Sequence, residues 1–142
     1  MGLHKDRAAI VTGAAKGIGR AIARELAREG ADLLLADMDG DTLRATAAAI
    51  GAEHGVRTAC HVADLSTEAA NQAMTDAALA AFGRVDILVN NAGGSRAFKD
   101  LHVSEEQWAE AMTLNFHRPR QIADALIDQM IARHWGRIIN IT

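Results

Sequence analysis

Apolar positions along the chain fall into two alternating patterns. Short β-branched and aliphatic runs occupy residues 7–12, 32–37, 57–62, 86–90 and 137–142, and read as strands. Between them lie longer Ala-rich stretches with apolar residues at helical spacing. The first of these places Ile18, Ile22 and Leu26 one turn apart on a helix that runs to about residue 29 and stops at Gly30. The second, 41–54, puts Leu43 and Ile50 on its inner side and is broken by Gly55. Ser66 or Thr67 caps a third helix, which runs to Phe82 and ends at Gly83. Ser104 and Gln107 form a capping box, with Glu105 and Glu106 suited to the positive helix end. It opens a long helical stretch to about residue 134. Pro119 should bend that stretch, because it has no N–H and its ring crowds the preceding turn, and Gly136 should stop it. Strands alternating with helices predict βαβ units around a parallel sheet.

Composition narrows the class. The chain has 142 residues, 49% apolar and 23% charged, as in a single soluble globular domain. A net charge of −3 gives no basic footprint for nucleic acid. The longest aliphatic run, Leu33, Leu34, Leu35 and Ala36, is too short to span a bilayer. The first residues carry no signal-peptide core, and Asp6 stands where a myristoylation motif needs Ser or Thr. A cytoplasmic location is the expectation. Cys60 is the sole cysteine, so no internal disulfide forms; its place in the strand alternation predicts a buried, structural thiol. Six histidines show no ligand spacing, and no metal site is expected. Trp108 and Met112 read as packing, and the cluster His117, Arg118 and Arg120 as a solvated helix face. The 30 alanines favour helices packed close on a flat surface. The chain contains no tyrosine.

The first strand-to-helix junction carries the chemistry. Residues 12–19 contain Gly13, Gly17 and Gly19. Such a trio permits a tight turn, close approach of backbone to a pyrophosphate, and close helix–strand packing. The pyrophosphate would then rest on the free N–H groups of the helix N-terminus, beside Lys16 and Ile18. Asp37 ends the second strand, where a carboxylate accepts hydrogen bonds from a ribose diol and repels a 2′-phosphate. That favours NAD over NADP. Lys16 pulls the other way, since a loop cation could meet the phosphate. Asp39 and Asp41 read as turn and helix-cap acids.

Together with this loop, Asp64 and Leu65 after the third strand, the run Asn90, Asn91, Ala92, Gly93 after the fourth, Asn115 in the long helix, and 136–141 at the end resemble the short-chain dehydrogenase/reductase family. The three-residue gap between Gly13 and Gly17 resembles its short-form branch and disfavours the epimerase and dehydratase branch. The resemblance implies a Rossmann-type, doubly wound parallel sheet of order 3-2-1-4-5 over 1–142. It implies hydride transfer between a nicotinamide and a carbonyl or alcohol. Asp64 would bond the adenine amino group, with Leu65 beside the ring. Asn91, Ala92 and Gly93 would border the cofactor ribose, Asn90 would tie the loop to the sheet, and Asn115 would hold a water in a proton relay. The helix 104–134 would serve a homo-oligomer interface, and 94–102 would border the substrate pocket.

The resemblance also shows what is missing. In the family pattern a serine follows directly after the position of Thr142, and a Tyr-x-x-x-Lys motif lies further on. Lys5, Lys16 and Lys99 stand on the wrong segments to supply that lysine. Of the catalytic set only Asn115 is present, so residues 1–142 alone are expected not to turn over. Parallel sheets place active sites at the C-terminal tips of their strands, so a chain stopping there is expected to be the N-terminal part of a longer reductase. The alternative is a noncatalytic dinucleotide-binding fragment. Ending here would expose the outer edge of the fifth strand and uncover Trp108, Met112, Ile122, Leu126, Met130 and Ile131.

Overall fold

The computed structural model describes residues 2–94 and 98–142. Strands and helices alternate as β1 (Ala8–Thr12), α1 (Gly17–Arg28), β2 (Asp32–Asp37), α2 (Gly40–His54), β3 (Thr58–Val62), α3 (Glu68–Phe82) and β4 (Ile87–Asn90). Then follow α4 (Glu105–Met112), a π-helical turn (Thr113–His117), α5 (Arg118–Ala132) and β5 (Arg137–Asn140). All neighbouring strands pair in parallel, in the order β3-β2-β1-β4-β5. Element ends move by a residue or two from the sequence expectation, and the order agrees.

β1 and β4 are buried along their whole length, as parallel strands covered on both faces are. One face of the sheet packs Val11, Leu33, Leu35 and Val89 against α1 and α2. The other packs Ile10, Leu34 and Leu88 against Met74 and Ala78 of α3 and Ile122, Leu126 and Met130 of α5. The last three are therefore covered by the sheet, against expectation, because they recur every fourth residue on the inward side of α5. Trp108, Met112 and Ile131 are exposed.

α1 departs from its expected stripe. Gly19, Ala23 and Ala27 face the sheet, Ile22 and Leu26 are partly buried, and Ile18 is 64% exposed. Small residues a turn apart let the helix lie close to β1, so the larger ones sit at its flanks. Cys60 is also corrected: it is exposed on the edge strand β3. Partial shielding still pushes its thiol above the ordinary 9.0, with Arg44 opposing weakly.

Pro119 does more than bend the long helix. It cannot donate to the carbonyl of Asn115 one turn back. The chain widens into a π turn there, where the Arg118 N–H donates to the Thr113 carbonyl. α5 then ends at Ala132, and His134 rather than Gly136 takes the left-handed turn, at φ +56°. Arg118 is not the solvated cation expected. Its Nε donates to the Ser66 carbonyl at 2.8 Å and ties α5 to the start of α3.

Candidate functional site

The loops after β1, β2, β3 and β4 converge at the C-terminal edge of the sheet. The first is made by glycines with three separate tasks. Gly13 adopts φ +63°, and a Cβ there would lie 2.9 Å from Asn91 Nδ2. Gly17 adopts φ +59° with open space where a side chain would be, which leaves its backbone approachable. Gly19 is buried under the loop, and a Cβ would fall 2.1 Å from the Gly13 carbonyl oxygen.

The loop is fastened from both sides. The Ala14 N–H donates to the Ala36 carbonyl at 3.1 Å, and the Ala15 N–H donates to Asp37 Oδ2 at 3.1 Å. The buried Thr46 hydroxyl, from α2, donates to the Ala15 carbonyl at 2.8 Å. On the other flank Asn91 Nδ2 donates to the Gly13 carbonyl at 3.2 Å. The Thr12 hydroxyl accepts the N–H groups of both Asn91 and Ala92 at 2.9 Å, hanging the β4 loop on β1. Asn90 ties its own strand outward, donating to Asn140 Oδ1 at 3.0 Å.

α1 begins at this loop without a side-chain cap and without an acid in its first turn. α2, α3 and α4 are capped by Asp39, Thr67 and Ser104. The first N–H groups of α1 thus have no N-cap side chain as acceptor, beside the open backbone of Gly17.

A cleft of about 410 Å³ runs along this edge. Gly13, Asp37, Asp64, Leu65, Ala92 and Gly93, all expected from the sequence, line it, and Met38, Ala63 and Leu114 complete it. These last three carry no chemical signature of their own; adjacency to Asp37, Asp64 and Asn115 was the available signal. Asp37 spends one oxygen on Ala15 and the other on the Asp39 N–H at 3.0 Å. A carboxylate offers about four acceptor sites, so each oxygen keeps capacity for a further donor. Asp64 accepts the Ser66 N–H at 2.9 Å and launches α3. Lys16 and Ile18 are exposed on the outer face of the loop. Asp39 has its carboxyl held below the usual 3.8 by the Thr42 hydroxyl and N–H, with a smaller contribution from Lys16.

Asn115 sits beside the cleft rather than in it. Its Oδ1 accepts the Gly94 N–H, and its Nδ2 donates to the Gly94 and Ala111 carbonyls, all at 2.8 Å. The side-chain amide is thus a brace for the β4 loop. A Cβ on Gly93 would lie 2.5 Å from that Oδ1. Of the segment 94–102 expected at the pocket rim, 95–97 lie outside the described residues.

A sequence profile of short chain dehydrogenases matches residues 7–142. The chain belongs to this family. Among curated relatives, D-threitol dehydrogenase of Mycolicibacterium smegmatis is 37% identical over 137 residues, covering 95% of this chain and 52% of that protein. A metagenomic short-chain oxidoreductase, solved in complex with NADP, superposes with a TM-score of 0.89 at 39% identity, covering 98% of this chain and 63% of its own. L-Sorbose reductase of Gluconobacter frateurii, solved with NADPH and L-sorbose, gives 0.90 at 33%, covering 99% and 53%. The chain spans about half the length of the curated relatives it matches. Among the described residues no helix is long and apolar enough to cross a membrane.

Proposed function

We propose that residues 1–142 form the dinucleotide-binding part of an NAD-preferring oxidoreductase that interconverts a carbonyl and an alcohol. The observation that carries this is the cleft itself: one cavity joins the Gly13 turn, Asp37 and Asp64 beside an uncapped helix. Relatives of the same family are dehydrogenases and reductases, and two similar structures hold NADP or NADPH.

The residues fit such a cofactor. The open backbone at Gly17 and the first N–H groups of α1 accept a pyrophosphate. Asp37 accepts from the ribose diol, and its charge disfavours a 2′-phosphate; this is the ground for NAD despite the NADP-bound neighbours. Asp64 accepts from the adenine amino group, with Leu65 against the ring. Asn91, Ala92 and Gly93 border the second ribose. When bound, the nicotinamide supplies or takes the hydride. The Asn115 carbonyl, denied its helical donor by Pro119, holds a water for proton transfer. The exposed Trp108, Met112 and Ile131 support pairing with a second copy through the long helix.

No tyrosine is present in these residues to act as the family's general acid/base. Two preparations test the reading, each incubated with NAD+ and a panel of secondary alcohols. The protein at its native length should generate reduced nicotinamide, and residues 1–142 alone should bind NAD+ without generating it. Absence of binding in both would overturn the proposal.

A further inference from the structure

We propose that Thr46 is a positioning residue for nucleotide discrimination, acting through Ala15 on the carboxylate of Asp37. The inference rests on reading the cleft as a site that prefers NAD.

The geometry forms a short relay. A helical threonine commonly returns its hydroxyl to the carbonyl one turn back. The hydroxyl of Thr46 instead crosses from α2 to the Ala15 carbonyl, at 2.8 Å. Ala15 is fully buried, and Thr46 is 7% exposed. The same residue, Ala15, gives its N–H to Asp37 Oδ2 at 3.1 Å. Ala14 is held in parallel by the Ala36 carbonyl at 3.1 Å. One peptide segment therefore takes a donor from α2 on one side and gives one to Asp37 on the other.

This has a consequence for selectivity. Asp37 is pinned by Ala15 on one oxygen and by Asp39 on the other, so its carboxylate cannot turn away from an incoming 2′-phosphate. Without the Thr46 hydroxyl, the Ala15 carbonyl is a buried acceptor lacking its partner, and the segment must shift to find another. Asp37 then loses its fixed orientation and its repulsion of the phosphate weakens. Thr46 touches neither nucleotide in this scheme; it sets which one Asp37 admits.

The test measures dissociation constants of NAD+ and NADP+ by calorimetry, on the protein at its native length and on three variants. Asp37→Ser should bring the ratio of the NADP+ to the NAD+ constant toward unity. Thr46→Val should lower that ratio roughly fivefold, the equivalent of one neutral hydrogen bond. Thr46→Ser, which keeps the hydroxyl, should restore it. Amide exchange at Ala15 should quicken in the valine variant and not in the serine variant. If valine prevents folding, Thr46→Ala carries the same expectation. A Thr46→Val protein that melts earlier yet weakens both nucleotides equally would make Thr46 a structural tie only and overturn the inference. The cofactor reading would survive that result, provided Asp37→Ser still moves the ratio. An unmoved ratio in Asp37→Ser would sink the NAD reading and this inference with it.

Discussion

Gly13 stands where the glycine loop and the β4 loop touch, and both its backbone angle and its surroundings exclude a side chain. Gly13→Val would force a β-branched residue to φ +63° and push into Asn91. Titration should show both NAD+ and NADP+ weakened roughly tenfold or more, with helix content by circular dichroism unchanged. A second residue-scale constraint lies at the opposite end of the sheet. Asp86 is 1% exposed, accepts two bonds from Arg84 at 2.7 Å and one from the Ala8 N–H at 2.9 Å. The hydrogen-bonded carboxylate holds the Arg84 guanidinium above its ordinary range. Arg84→Ala leaves the buried charge with one partner and should cost about 2–3 kcal/mol in denaturant unfolding. Cys60, though exposed, has a thiol pushed up by its surroundings. At neutral pH it should react with iodoacetamide more slowly than free cysteine. At this scale the sequence was legible wherever a residue has few uses: glycine trio, strand-end acids, the Asn pair. It was silent on Thr12 and Thr46, because a threonine on a strand or helix has many ordinary roles and its hydroxyl partner is decided by tertiary packing.

Among the helices that follow directly from a loop, α1 starts without a side-chain cap, whereas α2 starts on Asp39. Asp39 accepts from both the N–H and the hydroxyl of Thr42, at 3.1 and 2.7 Å. Its folded-state pKa lies below 3.8 for that reason. A depressed carboxyl stabilises the fold above its unfolded value and loses that contribution as pH falls through the folded one. The Tm difference between wild type and Asp39→Ala should therefore hold from pH 7 to about pH 5 and shrink below about pH 4. Asp39→Asn, which keeps an acceptor without the charge, should flatten that dependence. The capping box at Ser104 and the stop at Gly83 were readable because each is a local rule obeyed locally. The π turn was not. Proline announced a disturbance, but helical spacing does not say whether the chain kinks, breaks or widens around it. Likewise the stripe on α1 was misassigned, since helical spacing alone does not say whether large or small residues meet the sheet.

At the scale of the molecule, parallel pairing follows from alternation of strand and helix and from the continuous burial of β1 and β4, and the strand order is the one the family resemblance implies. The cleft is a consequence of that order. β1 lies between β2 and β4 at the middle of the sheet, so the loops after all three open onto one edge, and the loop after β3 closes the far side. Residues distant in sequence, Gly13, Asp37, Asp64 and Gly93, meet there without any of them being neighbours along the chain. What the sequence could not convey was how much of this site is spent on itself. Asp37, Asp64, Asn91 and Asn115 each already bond backbone, so the cleft is preorganised by the same groups that we propose meet the nucleotide. The measurement that tests this account most directly is a crystal structure of the protein grown with NAD+. The account predicts the pyrophosphate on the N–H groups at 17–19, a ribose on Asp37 and the adenine amino group on Asp64. A dinucleotide seated elsewhere on the protein, or one meeting the cleft without touching Asp37 or the start of α1, would contradict it.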